Sequence, residues 1–377
     1  MNPTTRRHDT EAFSDAVVVA METALAVARQ GVRGANPLVG AVIIDADGTV
    51  LAIGRHLGAG TPHAEADAIN SLRGTRRDLS AATMVVTLEP CNHQGRTSPC
   101  SQAIIEAGIG NVVYAVDDPH APAAGGGEKL RREGINVRSG LMADQALELN
   151  RQWFAAVRAG RPFVTARLAQ TVDSRIAAAD GTSQWITSAE SREDSHKLRA
   201  RVDAIVVGTG TIFGDNPRLT ARDADGGDAG HQPLRVVMGL RDVPGDAAVR
   251  LRTAPGFLQL HTHDPAVVVH ELHSRGVGHL MIEGGSKVSA AFLAAGLVDE
   301  LIVYLAPTLL GSGIPALNDL GIGTLADAQQ WEWDDTTSGP VERLGPDLKL
   351  TLMPARQPAT NARAGSTAAH TTTEGRE

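Results

Sequence analysis

Between Ser14 and Gly31 the apolar residues Val17, Val18, Met21, Ala24, Leu25 and Ala28 return at helical spacing, which predicts a helix with Ser14 as N-cap and Gly31 as terminator. Two short apolar runs, 39–44 and 49–54, flank the turn cluster Asp45-Ala46-Asp47-Gly48 and read as a hairpin. The pattern then alternates: helix 62–72, strand 84–88, helix 99–107, strand 111–116 and a helix within 128–133, the rhythm of a sheet covered by helices. Residues 121–127 are a Pro/Gly/Ala loop, and the charge and turn residues of 151–162 read as a connector. A second series follows, with strands 163–169, 203–208, 234–239, 257–260, 279–282 and 300–305 and helices 188–199, 265–275 and 286–295. Two α/β domains are therefore expected, 15–150 and 163–354, between a frayed start (1–14) and a disordered Ala/Thr/Gly/Arg tail (355–377). Residues 223–230 are expected to be a mobile surface loop, and no repeat of fixed period occurs.

A length of 377 residues agrees with two domains. No apolar run approaches the roughly 18 residues of a membrane span, and the polar, mixed-charge N-terminus is unlike a secretory signal. A cytoplasmic protein without a membrane partner is expected. With 4 Trp, 2 Tyr, 6 Phe and a net charge of -8, the chain offers neither stacking platforms nor a basic field, so nucleic acid is excluded as the default partner. Only Cys91 and Cys100 are present, which rules out a disulfide scaffold and leaves a clip, inert thiols or a metal pair.

The neighbours of those cysteines narrow the choice. Thr61-Pro62-His63-Ala64-Glu65 reads as a helix start with Thr61 as cap and Pro62 first in the helix, so His63 and Glu65 can both lean over the open end. Glu89-Pro90-Cys91 ends a strand, and Ser98-Pro99-Cys100 opens a helix with Ser98 as cap, where orphan N–H groups favour thiolate. One imidazole and two thiolates make a catalytic zinc site with a fourth position open, and Glu65, not a ligand, can carry the proton of a zinc-activated water. The zinc deaminase signature is His-x-Glu followed by Pro-Cys-x-x-Cys. Here eight residues, not two, separate the cysteines. Two core cysteines beside an exposed histidine is the competing reading; the joint order His, Glu, Pro-Cys, Cys, each at an expected helix start, outweighs it.

In the second half, Glu283-Gly284-Gly285-Ser286 ends a strand and opens a helix, and Val206-Val207-Gly208-Thr209-Gly210-Thr211 also follows a strand. Two glycine-bearing loops at strand ends can cradle the phosphates of a cofactor, although glycines at such turns are commonly structural. No Gly-x-Gly-x-x-Gly is present, so a Rossmann fold is not indicated.

Asn36-Pro37-Leu38-Val39-Gly40-Ala41-Val42, His63-Ala64-Glu65, Thr87-Leu88-Glu89-Pro90-Cys91 and Gly95-Arg96-Thr97-Ser98-Pro99-Cys100 resemble the deaminase half of the bifunctional riboflavin biosynthesis deaminase/reductases, a family with the longer Cys-x8-Cys spacing. The resemblance continues through 168–176, 180–187, Asp215-Asn216-Pro217-Arg218-Leu219-Thr220 and Glu283-Gly284-Gly285, which look like its reductase half. It implies a cytidine deaminase-like three-layer α/β/α domain followed by a dihydrofolate reductase-like α/β domain. It implies one zinc on His63, Cys91 and Cys100, with Glu65 catalytic, and substrate contacts from Asn36, His56, His93 and Arg96. In the reductase half it implies NADPH against Ala169, Trp185, Thr211, Asp215, Gly285 and the helix residues Ser286, Lys287, Val288, Ser289, Ala290 and Ala291. The ribosyl phosphate is then expected against Ser183, Arg199, Leu219, Arg222 and Glu283, with Glu283 and Asp215 as catalytic groups, since a carboxylate can polarise or protonate the opening ribosylamine.

The implied partners are small pyrimidine ribosyl phosphates, in a homo-oligomeric enzyme. Three positions depart from the family pattern: Arg167 for a lysine, Ser174 for a glycine and Asn216 for an aspartate. A paralogue acting on a related pyrimidine or deazapurine intermediate is the alternative enzyme; a nucleic-acid deaminase and a non-catalytic relative are the readings from other classes.

Overall fold

The computed structural model describes residues 12–31, 36–58, 61–75, 77–93, 98–247, 256–335 and 339–355. Arg96, most of the expected frayed start and all but the first residue of the expected tail lie outside the described residues.

The first unit is built on a five-stranded sheet of order β2-β1-β3-β4-β5, comprising β1 (Gly40–Ile44), β2 (Val50–Arg55), β3 (Thr83–Val86), β4 (Asn111–Tyr114) and β5 (Asn136–Ser139). β1 runs antiparallel to β2 and β3, while β3, β4 and β5 are parallel. Every residue of β1 is buried because helices cover both faces. On one face α2 (Ala64–Ser71), α3 (Cys100–Ala107) and α4 (Gly126–Arg132) enclose Ile43, Met84, Val86, Ile104 and Leu130. On the other, α1 (Asp15–Ala28) and α5 (Ala143–Leu149) enclose Met21, Leu25, Val42, Val85 and Leu149. This is the expected three-layer domain. α2 lies directly on β2 at Gly54, where a Cβ would stand 2.1 Å from the Ala64 carbonyl oxygen and 2.4 Å from the Ala68 nitrogen.

Two helix starts differ from expectation. His63, not Thr61, is the N-cap of α2, and Pro99, not Ser98, is the N-cap of α3; neither proline enters its helix. Thr61 is spent on the preceding loop, its Oγ1 donating to the Gly58 carbonyl at 2.7 Å and accepting the Leu57 N–H at 3.2 Å. The stretch read as a connector forms α6 (Arg151–Ala159), stopped by Gly160 in the left-handed conformation.

The second unit has β6 (Phe163–Thr171), β7 (Arg175–Ala177), α7 (Ala189–Arg199), β8 (Ala204–Gly208), α8 (Thr209–Asp215), β9 (Leu234–Met238) and β10 (Phe257–Leu260). It continues with α9 (Pro265–Ser274), β11 (His279–Ile282), α10 (Ser286–Ala294), β12 (Glu300–Ala306), β13 (Ile314–Pro315), β14 (Trp331–Trp333), β15 (Val341–Leu344) and β16 (Asp347–Pro354). Its main sheet has the order β10-β9-β8-β11-β6-β12-β16-β14, with β15 also on β16. It is parallel from β10 to β12 and antiparallel beyond, a mixed sheet of the dihydrofolate reductase-like kind. Side chains cap two helices: Ser188 accepts from the Ser191 N–H, and Asp264 accepts from Ala266 with Pro265 first in the helix. The glycine-bearing stretch after β8 is not an open loop; Gly208 is the N-cap of α8.

α6 is fixed to the second sheet. Arg151 pairs with Glu300 at 2.9 Å and with Asp334, and Thr165 donates to the other oxygen of Glu300 at 2.8 Å.

Candidate deaminase and reductase sites

His63 at the head of α2, Cys91 after β3 and Cys100 in the first turn of α3 bring their donor atoms together. His63 Nδ1 lies 3.5 Å from Cys91 Sγ and 3.4 Å from Cys100 Sγ. Tetrahedral zinc with ordinary Zn–N and Zn–S bonds places such atoms about 3.5 Å apart. The donor set therefore fits the metal the sequence implies. Cys91 is drawn down to about 4, first by the hydrogen bond from Cys100, and Cys100 is pushed up by sharing that proton and by burial, so the pair holds one proton.

Glu65, in the first turn of α2, is 3% exposed and raised to about 7, by desolvation first and then by the charge of Cys91. A carboxyl near neutrality beside the ligand atoms can both take and give a proton. His56 is lowered by burial and so is neutral; it donates from Nδ1 to the Pro62 carbonyl at 3.1 Å, leaving Nε2 to accept Asn36 Nδ2 at 3.2 Å. Asn36, His56, His63, Glu65, Cys91 and His93 line one cavity of about 550 Å³, and the buried Nδ1 of His93 has no partner among the described residues. Glu89 braces the strand end below Cys91 by accepting the amides of Gly127 (2.9 Å) and Asp118 (3.2 Å).

Sequence reasoning missed the rest of this cavity. Asp118 and His120 line it, as do Trp153 of α6, Arg161 after it, and His273, Gly276, Val277 and Gly278 from the second unit. Asp118 and His120 come from the loop after β4 of the first unit; the others carry no local signal, because they join the cavity only when α6 and the second unit pack against it.

The second cavity, about 570 Å³, is lined by Ala169, Ser183, Trp185, Arg199, Thr211, Asp215, Leu219, Arg222, Glu283 and Gly285 of the expected set. Its lining holds five arginines (Arg167, Arg192, Arg199, Arg218 and Arg222) against two carboxylates (Asp215 and Glu283), a balance suited to phosphates. Gly285 is the N-cap of α10 and offers no capping side chain, so the helix start opens on the cavity through backbone N–H groups, as a phosphate-bearing cofactor requires. Trp185 is 68% exposed, not core, with the Arg192 guanidinium 4.6 Å from its ring centroid. Arg199 is not a solvated surface charge: it donates to both oxygens of Glu283 and, at 3.0 Å, to the Thr220 carbonyl. Leu219 adopts a left-handed φ of 54°, and the Thr220 carbonyl beyond it also accepts from His196 Nδ1 at 3.1 Å.

Two expectations are narrowed. Burial works to raise Glu283, but Arg199 and Arg167, the latter at 3.4 Å, outweigh it and hold the group below its ordinary value, which suits the polarising and not the protonating half of the role expected of it. Of 285–291 only Gly285 lines the cavity. Ser286, Ser289 and Ala290 are buried in packing, Lys287 is exposed, and Val288 sits beneath Gly208 and Gly284. Arg192, Ser195 and His196 were missed although they share the helical spacing of Arg199 on the face of α7 that lines the cavity.

Residues 16–116 match the cytidine and deoxycytidylate deaminase zinc-binding region, and residues 162–339 match the RibD C-terminal domain. The riboflavin biosynthesis protein RibD of Mycobacterium tuberculosis is 43% identical over 344 residues, covering 91% of this chain and 98% of the relative. Its Escherichia coli counterpart is 36% identical, covering 89% and 98%. Among solved structures, RibD of Acinetobacter baumannii superposes with a TM-score of 0.78 at 31% identity, over 90% of this chain and 99% of that one.

Proposed function

The chain belongs to the RibD family of bifunctional riboflavin biosynthesis enzymes, and from that premise we propose how its two cavities divide the work of deamination and reduction. The first unit hydrolytically deaminates 2,5-diamino-6-(5-phosphoribosylamino)pyrimidin-4-one; the second uses NADPH to reduce the ribosyl chain of the resulting 5-amino-6-(5-phosphoribosylamino)uracil to ribityl. The observation that carries the deaminase assignment is the three-ligand cluster with the buried Glu65 beside it.

His63, Cys91 and Cys100 would hold the zinc. Bound there, zinc supplies a Lewis acid that makes a water acidic near neutral pH. Glu65 takes the proton of the attacking water and delivers it to the departing amino nitrogen, so that one water is consumed and ammonia leaves. Asn36, oriented by neutral His56, and the unpartnered Nδ1 of His93 hold the pyrimidine edge.

In the second cavity Arg222 and Arg218 meet the ribosyl phosphate, and Glu283 orients Arg199. Asp215, which accepts a hydrogen bond from Ser183 at 3.3 Å, is the carboxylate left to move a proton as the ribosylamine opens. Hydride transfer is the chemistry of the cofactor; Trp185, Thr211 and Gly285 shape its place.

No helix among the described residues is long and apolar enough to cross a membrane. Thiolate ligands and a reduced nicotinamide suit a reducing compartment, which supports a cytoplasmic location. The exposed apolar residues Val172, Leu309 and Ile314 around the β7–β13 pair support a homo-oligomer. Arg167 in place of the family's lysine favours, as a second reading, a paralogue acting on a related pyrimidine; turnover of the diaminopyrimidinone itself decides between them.

Glu65→Gln is expected to abolish ammonia release while zinc content and NADPH-dependent reduction of the deaminated intermediate stay at wild-type levels. Ammonia release at the wild-type rate would refute the role.

A further inference from the structure

Asn150 stands at the joint between α5 and α6, 3% exposed, and lines neither large cavity. Its amide nevertheless makes two 2.8 Å hydrogen bonds to one residue 112 positions earlier: the Leu38 N–H donates to Oδ1, and Nδ2 donates to the Leu38 carbonyl. A side chain thus supplies the pair of contacts that a neighbouring strand would give. The stretch 36–38 has no other backbone hydrogen bond among the described residues; the next is that from the His56 N–H to the Val39 carbonyl.

Asn36 and Pro37 in this stretch form a wall of the deaminase cavity, and Asn36 is the residue that meets His56. The residue after Asn150, Arg151, is locked to Glu300 and Asp334 of the second unit. Adjacent residues therefore grip the substrate wall of one unit and the sheet of the other.

We propose that Asn150 is a positioning residue of the deaminase site, holding the Asn36–Leu38 wall against the helix that is anchored to the reductase unit. It acts through Leu38 on Asn36 and touches no reacting atom. The proposal rests on the reading of Asn36 as a substrate contact, which Asn36→Ala tests on its own: an unchanged deamination KM in that variant removes the reading itself.

In the full-length, zinc-loaded enzyme, Asn150→Ala is expected to raise the deamination KM about tenfold, the scale of one or two ordinary buried hydrogen bonds. kcat should change far less, and zinc content and NADPH-dependent reduction should not change. Amide hydrogen exchange across 36–39, read by mass spectrometry, should quicken while that of α1 is unaltered. In a double-mutant cycle with Asn36→Ala the two effects should be strongly non-additive, since both act through one contact. Asn150→Asp should recover most of the loss, because burial keeps its carboxyl protonated and able to make both contacts. Fully additive effects, unchanged exchange across 36–39, or parallel loss of both activities would each overturn the proposal, the last by showing a general role in folding.

Discussion

Glu283 illustrates how neighbours decide what a residue can do. A carboxylate at the end of β11 reads as a group that can polarise or protonate the opening ribosylamine, yet Arg199 and Arg167 hold it ionised and make it a brace for the cavity wall. Glu283→Gln leaves both arginines without their counter-charge, and at pH 7 we expect a loss of about 3 kcal/mol in the second unit. The sign of its pH dependence follows from its folded pKa lying below the ordinary 4.5: the contribution is complete above that value and is lost as pH falls through the folded one. The gap in melting temperature between wild type and variant should therefore narrow in acid; a gap independent of pH would refute the account. The departures from the family pattern also have residue-level readings. Asn216 sits at a left-handed φ of 41°, which asparagine tolerates well, whereas Ser174 at φ 60° takes up a conformation that glycine favours more. Arg167 keeps the positive charge beside Glu283 and stacks at 5.0 Å on the ring of Tyr304, a contact that a lysine ammonium would make differently.

Elements matter here by where they start and how closely they approach. Both α2 and α3 begin at or beside a member of the His63, Cys91 and Cys100 cluster, so their first turns set how the donor atoms converge. The positions of the helices were legible from their apolar spacing. Their first residues were not, because Thr61 has a competing partner in its own loop, and competition of that kind leaves no trace in spacing. Close approach makes α2 sensitive to its neighbour. Gly54→Ala would drive a methyl into the Ala64 carbonyl and shift the helix that carries Glu65 and follows His63; we expect a cost of about 2 kcal/mol and weakened zinc retention against a chelator. Wild-type retention with an unchanged melting temperature would show that β2 can yield there. The face of α7 could have been read from sequence in full, since Arg192, Ser195, His196 and Arg199 follow helical spacing. By contrast, α8 was hidden by its glycines, and β5 by being short and polar.

At the scale of the whole molecule, the two units are not independent vessels. The deaminase cavity takes part of its wall from α6 and part from the end of α9 and the turn into β11. His273→Ala, a change in the reductase unit, should raise the KM for deamination and leave NADPH-dependent reduction untouched; the reverse pattern, or no effect on either, would remove that wall from the deaminase account. The sequence by itself pointed to the two α/β units, to the donor cluster His63, Cys91 and Cys100 with Glu65 in the same cavity, and to ten of the residues that line the second cavity. These are legible because burial imposes a period on each element and because metal and proton chemistry demand particular residue types at helix starts. Only the tertiary structure decided that Glu283 is an anchored carboxylate, that the supposed connector is a helix clamped to the second sheet, and that Asn150 reaches back 112 residues to hold Leu38. Those facts depend on which groups lose water together and which charges then face one another, and neither is encoded in the spacing of neighbours along the chain.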